Sequence, residues 1–456
     1  MAVPGRVNGK ETKMLGKLIS KLFSFKGLYV AFFIAVVFYG QVRLMFGLTP
    51  RHIAIVVMLI ACMRQGIPFP MGRIIKAYLL FIFTFLVSAT LTGYLEKVLI
   101  TYYIAALVGY WATKILVVKY KDDRLLLNTV IVLGVINAII TIGQTFNLSI
   151  SDQLLSLFHL KLPDKYIDKM DVEGSEDLAF MLARPGLFRS AVYNGYFLMT
   201  SGVASLILFI RKLWIQRFIP WTIITFGCIC VQERGPIIIL MVLSAFAFYK
   251  IPIIKKRTHT LLLLLVLLVF HFISESISSL LIVQYLDRME TRSTAIVSND
   301  NGDDMSDDFQ TISSFTKESR FAELGLDDTG RGEIYSQATE YLMDHPFIAG
   351  YHRFAHMYKM APHNLFLNAF IYGGVVGGFA ILFILFWQIK PLWRVFLRRI
   401  ADTNHICFFA GLAFVAFTLN SLVHNRSVVT GDELLWMLWA AFYFEYRKFF
   451  RRDARL

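Results

Sequence analysis

Several arginines and histidines in this sequence stand where an apolar run meets a proline or glycine, the settings in which a cation is held rather than left loose. Arg234 is the sharpest case, because Gln232-Glu233-Arg234-Gly235-Pro236 is a minimal connection that pins a guanidinium between two apolar runs. A guanidinium fixed at a helix end can grip an anion through forked, charge-assisted hydrogen bonds. An interfacial arginine paired with Glu233 is the plain structural alternative. His363 follows Pro362 in Ala361-Pro362-His363-Asn364-Leu365-Phe366. Proline suits the first turn of a helix, where the free N–H groups and positive dipole end favour a neutral imidazole or a bound anion. A neutral imidazole can accept a proton at ambient pH, which a general base requires, while a capping histidine fits the pattern equally well. Arg184, Arg189 and Arg331 occupy comparable settings, and His424 and Arg426 are weaker candidates.

No metal site is expected. Cys62, Cys228, Cys230 and Cys407 all lie inside apolar runs and read as packing residues. Cys228 and Cys230 are two apart, so on a helix they diverge. The aspartates between Ser298 and Ser314 do not reproduce a calcium-binding loop.

These residues hang on an all-α frame. The chain has 456 residues, 56% hydrophobic and only 17% charged, too little polar surface to coat a soluble globule of this size. Lipid must be part of its solvent, and 41 phenylalanines suit lipid-facing helices. Apolar runs of spanning or near-spanning length fall at 28–47, 51–63, 74–95, 98–118, 125–146, 191–210, 218–232, 236–249, 258–283, 363–389, 403–423 and 431–446. With the N-terminus inside, every even connection is basic, for example Lys114 to Arg124, Lys250 to Arg257 and Lys390 to Arg399. Adding or removing one span ruins that alternation. The sequence therefore predicts a polytopic membrane protein of about twelve helices with both termini in the cytoplasm. The net charge of +14 belongs to those inner loops and carries no argument for nucleic acid.

The predicted order is a basic amphipathic segment over 1–27, spans one to nine over 28–283, a large external helical loop over 284–362, spans ten to twelve over 363–446, and a basic tail over 447–456. Lys13, Lys17 and Lys21 recur beside an apolar face, as in a helix lying on an anionic membrane surface. No cleavage pattern follows the first apolar run, which reads as a retained span. A second external loop covers 147–190. Within the large loop, Ser298 to Ser314 is acidic and reads as mobile. From Asp328 onward an apolar face recurs through Ile334, Tyr335, Ala338, Tyr341 and Leu342, with Asp328 or Thr329 as cap and Pro346 as stop.

Five short motifs, in order and all on the predicted external face, carry a resemblance. They are Arg184-Pro185-Gly186-Leu187-Phe188, Glu233-Arg234-Gly235-Pro236, Gly330-Arg331-Gly332-Glu333-Ile334-Tyr335 with His345-Pro346-Phe347-Ile348-Ala349-Gly350, Pro362-His363-Asn364, and Tyr372-Gly373-Gly374-Val375-Val376-Gly377-Gly378. Together they resemble the O-antigen ligase and polymerase family over about residues 180–390. The resemblance implies transfer of a glycan from a polyprenyl (undecaprenyl) pyrophosphate donor to an acceptor hydroxyl, on the periplasmic face of a bacterial inner membrane. It implies Arg184, Arg234 and Arg331 on the pyrophosphate, His363 as the base, inversion at the anomeric carbon, and no cofactor or metal. Asn364, Arg189, His424 and Arg426 are secondary candidates.

Within that family the expected acceptor is a lipid A core sugar, narrowly ahead of another lipid-linked repeat; protein O-glycosylation is a third activity. A transporter or flippase is the rival of another class. It would use intramembrane polar groups, for which Asn137, Glu275 and Asn420 are the sparse candidates.

Overall fold

The computed structural model describes residues 23–39, 48–93, 97–146, 148, 150–151, 153–154, 186–188, 190–210, 215–231, 233–250, 329–358, 364–398, 405–422 and 427–453. Among them are thirteen α-helices and no strand: α1 Phe25–Val37, α2 Pro50–Met63, α3 Arg73–Leu91, α4 Lys97–Val118, α5 Leu125–Thr145, α6 Ala191–Ser205, α7 Ile215–Cys230, α8 Arg234–Lys250, α9 Thr329–Asp344, α10 Tyr351–Tyr358, α11 Leu365–Leu397, α12 His405–Ser421 and α13 Glu433–Asp453. Residues 1–22, the ninth predicted span at 258–283 and the acidic stretch at 298–314 lie outside the described residues.

Five helices are long and apolar enough to cross a membrane: α3, α4 from Leu99, α5, α6 extended to Leu208, and α11. Shorter apolar helices of 10–17 residues occupy five more of the predicted runs, in α1, α2, α7, α8 and α12. With no water in hydrocarbon to satisfy the backbone, such runs close their hydrogen bonds internally and fold as helices. Their starts follow local chemistry. Ser24 Oγ accepts from Gly27 N at 3.2 Å before α1. Thr49 and His52 form a capping box around Pro50 at α2, and Asn364 caps α11.

Helices lie close where a glycine removes a side chain. Gly134 faces Ser201, Gly227 faces Ala138, and Gly373 and Gly377 face Phe81 and Thr84. In lipid, where apolar burial drives little association, such small-residue contacts supply the packing. Large aromatics fill the centre, with Trp436, Trp439, Tyr78 and Phe81 fully buried, while Phe83, Val132 and Phe386 face outward.

Contacts fix helix directions. Gly195 meets Pro236 and Gly202 meets Leu240, so α6 and α8 run parallel. Phe246 lies 6.2 Å from Phe408 and Tyr196 lies 4.9 Å from Phe417, so α12 runs against both. Arg73 sits 5.0 Å over Trp387 while Phe85 sits 5.9 Å from Tyr372, so α3 opposes α11. Tyr103 beside Gly431 and Tyr110 beside Phe444 set α4 parallel to α13. One end of the bundle therefore gathers the starts of α4, α6, α8, α11 and α13 with the ends of α3 and α12.

α11 is interrupted at Gly374, with φ 63° and ψ −168°. The turn after α9 fills the break: Val375 N donates to Pro346 O at 2.8 Å, and the Phe347 carbonyl lies where a Cβ of residue 374 would stand. The expected helix from Asp328 begins at Thr329 and stops before Pro346, as its sequence required. Its Ala338 and Tyr341 join Ala349, Phe354 and Ile371 in a small second core that docks α9 and α10 on the start of α11.

Candidate functional site

The gathered end carries the motifs. Arg184 and Arg189 lie outside the described residues, but Gly186 to Phe188 between them are held by specific contacts. Gly186 N donates to Gln144 Oε1 at 2.9 Å and Leu187 N donates to Asn137 Oδ1 at 2.8 Å. Asn137 Nδ2 in turn donates to Asn194 Oδ1 at 2.6 Å, and Asn194 Nδ2 donates to Thr141 Oγ1 at 2.9 Å. Gly186 has φ +59°, and a Cβ there would collide with Asn137, Asn194 and Thr141. Only glycine fits this cradle. Phe188 then packs its ring at a tilt against Phe38 and Phe197, at 4.9 and 5.4 Å. Half-buried Gln144 and buried Asn137 thus hold the backbone just after Arg184, with buried Asn194 and Thr141 bracing Asn137 from two spans.

Asn137, a transport candidate by sequence, is a strut of this cradle. Thr141, Gln144 and Asn194 were missed, although Asn137, Thr141 and Gln144 recur on one face of an otherwise apolar run.

The second motif meets the same helix one residue on. A Cβ at Gly195 would stand 2.9 Å from Pro236 and 3.5 Å from Glu233. Arg234 is the first residue of α8, so its backbone sits at a helix N-terminus beside the Gly186 cradle. Burial lifts the Glu233 carboxyl above the ordinary carboxylate range. Asn420 belongs to the same level. Phe246 packs on Phe408, and Arg234 and Asn420 each lie twelve residues from that contact toward the same end of the bundle. Asn420 is fully buried, and neither polar atom of its amide finds a hydrogen-bond partner among the described residues.

The third and fourth motifs cluster around α11. Arg331 lies in the first turn of α9. The turn that follows α9 is locked: Tyr341 Oη donates to the Ala349 carbonyl, and its ring stacks on His345 at 4.7 Å. Burial raises the Tyr341 hydroxyl, against an opposing pull from Arg353, so it stays a donor at neutral pH. Tyr351 stacks on Tyr372 at 4.3 Å, and Gly350, at φ +80°, fits against Thr92. Asn364, a secondary candidate, uses Oδ1 to accept from Phe366 N and Leu367 N, at 2.9 and 3.2 Å. His363, one residue earlier, lies outside the described residues, as do His424 and Arg426.

A buried ion pair that the sequence did not reveal stands between the two groups. Arg51 Nη2 is 2.9 Å from Glu433 Oε1 and donates to Val36 O at 2.7 Å, and its guanidinium lies 3.8 Å over the Tyr102 ring. Phe38, two residues after Val36, touches the Gly186 segment through Phe188, and Tyr103, next to Tyr102, packs on Phe85, which packs on Tyr372. Among the described residues no three His, Cys, Asp or Glu side chains gather as metal ligands.

Compared with models of known protein families the chain finds no match, and no curated protein sequence matches it either.

Proposed function

We propose that this membrane protein is an inverting glycosyltransferase of the O-antigen ligase and polymerase type. It moves an oligo- or polysaccharide from a polyprenyl-pyrophosphate donor to an acceptor hydroxyl, with a lipid A core sugar favoured over a second lipid-linked repeat. The gathered end of the bundle is then the periplasmic face of a bacterial inner membrane, and both termini are cytoplasmic in a chain of about twelve spans.

The observation that carries this reading is the pair of motifs seated on adjacent residues of α6. Gly186 lies in a cradle that includes Asn194, and the Glu233 connection lies on Gly195. Arg184 and Arg234 are then close enough in the chain to these anchors to act on one pyrophosphate. As the anomeric carbon–oxygen bond breaks, negative charge grows on the departing pyrophosphate, and guanidinium groups held in advance stabilise it most at that moment. Arg331 is assigned to the same anion. His363 takes the proton of the acceptor hydroxyl that attacks from the opposite face.

The test is reconstitution of purified protein with lipid-linked glycan and candidate acceptors, with and without chelator. Wild-type protein transfers glycan in both conditions, and His363→Ala inserts normally but transfers none. Full transfer by His363→Ala removes the base assignment. Arg234→Lys keeps the charge and loses the fork, so it should fall between wild type and Arg234→Ala. The break in α11 favours a second reading, a transporter or lipid-linked glycan flippase, since discontinuous helices are common in transporters. Movement of donor across the vesicle without product would select it.

A further inference from the structure

α3 and α11 stay in contact from Gly373 and Gly377 to Trp387, and the side chains along their seam leave a groove of about 640 Å³ on the surface. Leu80, Val376, Phe379 and Phe383 line it, all of them exposed, and Arg73 and Lys76 stand at one end. A hydrocarbon chain fits walls of this kind through shape and dispersion contact, which is what holds apolar groups together inside a bilayer.

The ends of the groove differ. At one lies the turn of Pro346 and Phe347 against Gly374. At the other, Arg73 is steadied 5.0 Å over the Trp387 ring, and Lys76 lies three residues further along α3. Neither cation has an ion-pair partner among the described residues. The sequence from Arg64 to Lys76 and from Gln388 to Arg399 contains no Asp or Glu, but adds Arg64, Lys390, Arg394, Arg398 and Arg399. Excess positive charge at the mouth of an apolar groove complements one amphiphile class, a lipid with an anionic head. This mouth is at the opposite end of α3 from Thr92, and so away from the end that holds Arg234 and Asn364.

We infer that the groove between α3 and α11 is a binding site for an anionic glycerophospholipid, whose phosphate lies against Arg73 and Lys76 and whose acyl chain runs along Leu80 and Phe379 toward the break at Gly374. The site is independent of the glycan-transfer reading.

The test uses the full chain in mild detergent, given phosphatidylglycerol or phosphatidylcholine of identical chains and followed by native mass spectrometry. Two cations near a membrane surface predict a preference of about tenfold or more for phosphatidylglycerol at low salt. That preference weakens with added salt. Arg73→Gln with Lys76→Gln, both exposed positions, abolishes the preference. Ala77→Phe fills the groove floor and reduces retention of phosphatidylglycerol while leaving the cations in place. Equal retention of the two lipids by wild type overturns the inference, as does a preference that survives the double glutamine variant. Retention unaltered by Ala77→Phe in protein with an unchanged melting temperature overturns the groove as the seat of the chain.

Discussion

Asn420 and Glu233 are polar groups held where burial works against them, and each gives a measurable sign. An amide buried with no hydrogen bond costs about 1–3 kcal/mol relative to an apolar residue of the same shape. Asn420→Leu should therefore raise the melting temperature of donor-free protein, and it should lower glycan transfer if the amide serves the anion held near Arg234. A lower melting temperature would show that the amide is satisfied by water. Glu233 titrates in the opposite sense to a salt-bridged carboxylate. Its folded pKa is raised by burial above 4.5, so the folded state binds the proton more tightly than the unfolded chain. The stability this gives is full below the unfolded value and is lost as pH rises through the folded one. Melting curves recorded from about pH 4, the ordinary carboxylate value, upward should decline with pH for wild type and be flatter for Glu233→Gln. Arg234 was legible as a special residue because glycine and proline follow it directly, in a minimal connection between two apolar runs. Asn420 was visible only as a polar residue in an apolar run, and its level beside Arg234 required the packing of α8 on α12.

Among the elements, α11 behaves least like its sequence pattern. Tyr372 to Gly378 reads as a glycine-rich helix, and the four glycines do different work. Gly373 and Gly377 admit α3, whereas Gly374 adopts a left-handed φ and gives up its place in the helix to the Pro346 turn. Gly374→Ala places a Cβ on the Phe347 carbonyl and strains the backbone by roughly 1–3 kcal/mol. The expected result is a loop that leaves the membrane helix more often, read as faster tryptic cleavage after Arg353 in the variant. Cleavage at the wild-type rate would mean that the contact with Val375 does not hold the loop. The helix Thr329–Asp344 was legible because its apolar face and its proline stop are local signals. The cradle at Gly186 was not, because its partners come from residues 137–144 and 194, on two other stretches of chain.

The whole molecule is tied across its gathered end by Arg51 and Glu433, whose side chains are 3% and 2% exposed. Breaking a buried pair by removing one partner costs about 3–5 kcal/mol, because the other charge is left without compensation. Arg51→Met and Glu433→Gln should each lower thermal stability strongly. The double variant should recover much of the loss, and additive losses would show that the pair is not coupled. Sequence by itself determined that this chain is built of apolar helices, where most of them start, and which residues stand at their ends. Those features are written in runs of neighbouring residues, since hydropathy, proline and glycine act on the local backbone. Tertiary structure alone decided which ends meet. Arg51 finds Glu433, Asn137 finds Asn194 and Val375 finds Pro346 because the helices pack in one register and one set of directions, and that choice depends on side-chain fit between segments far apart in the chain.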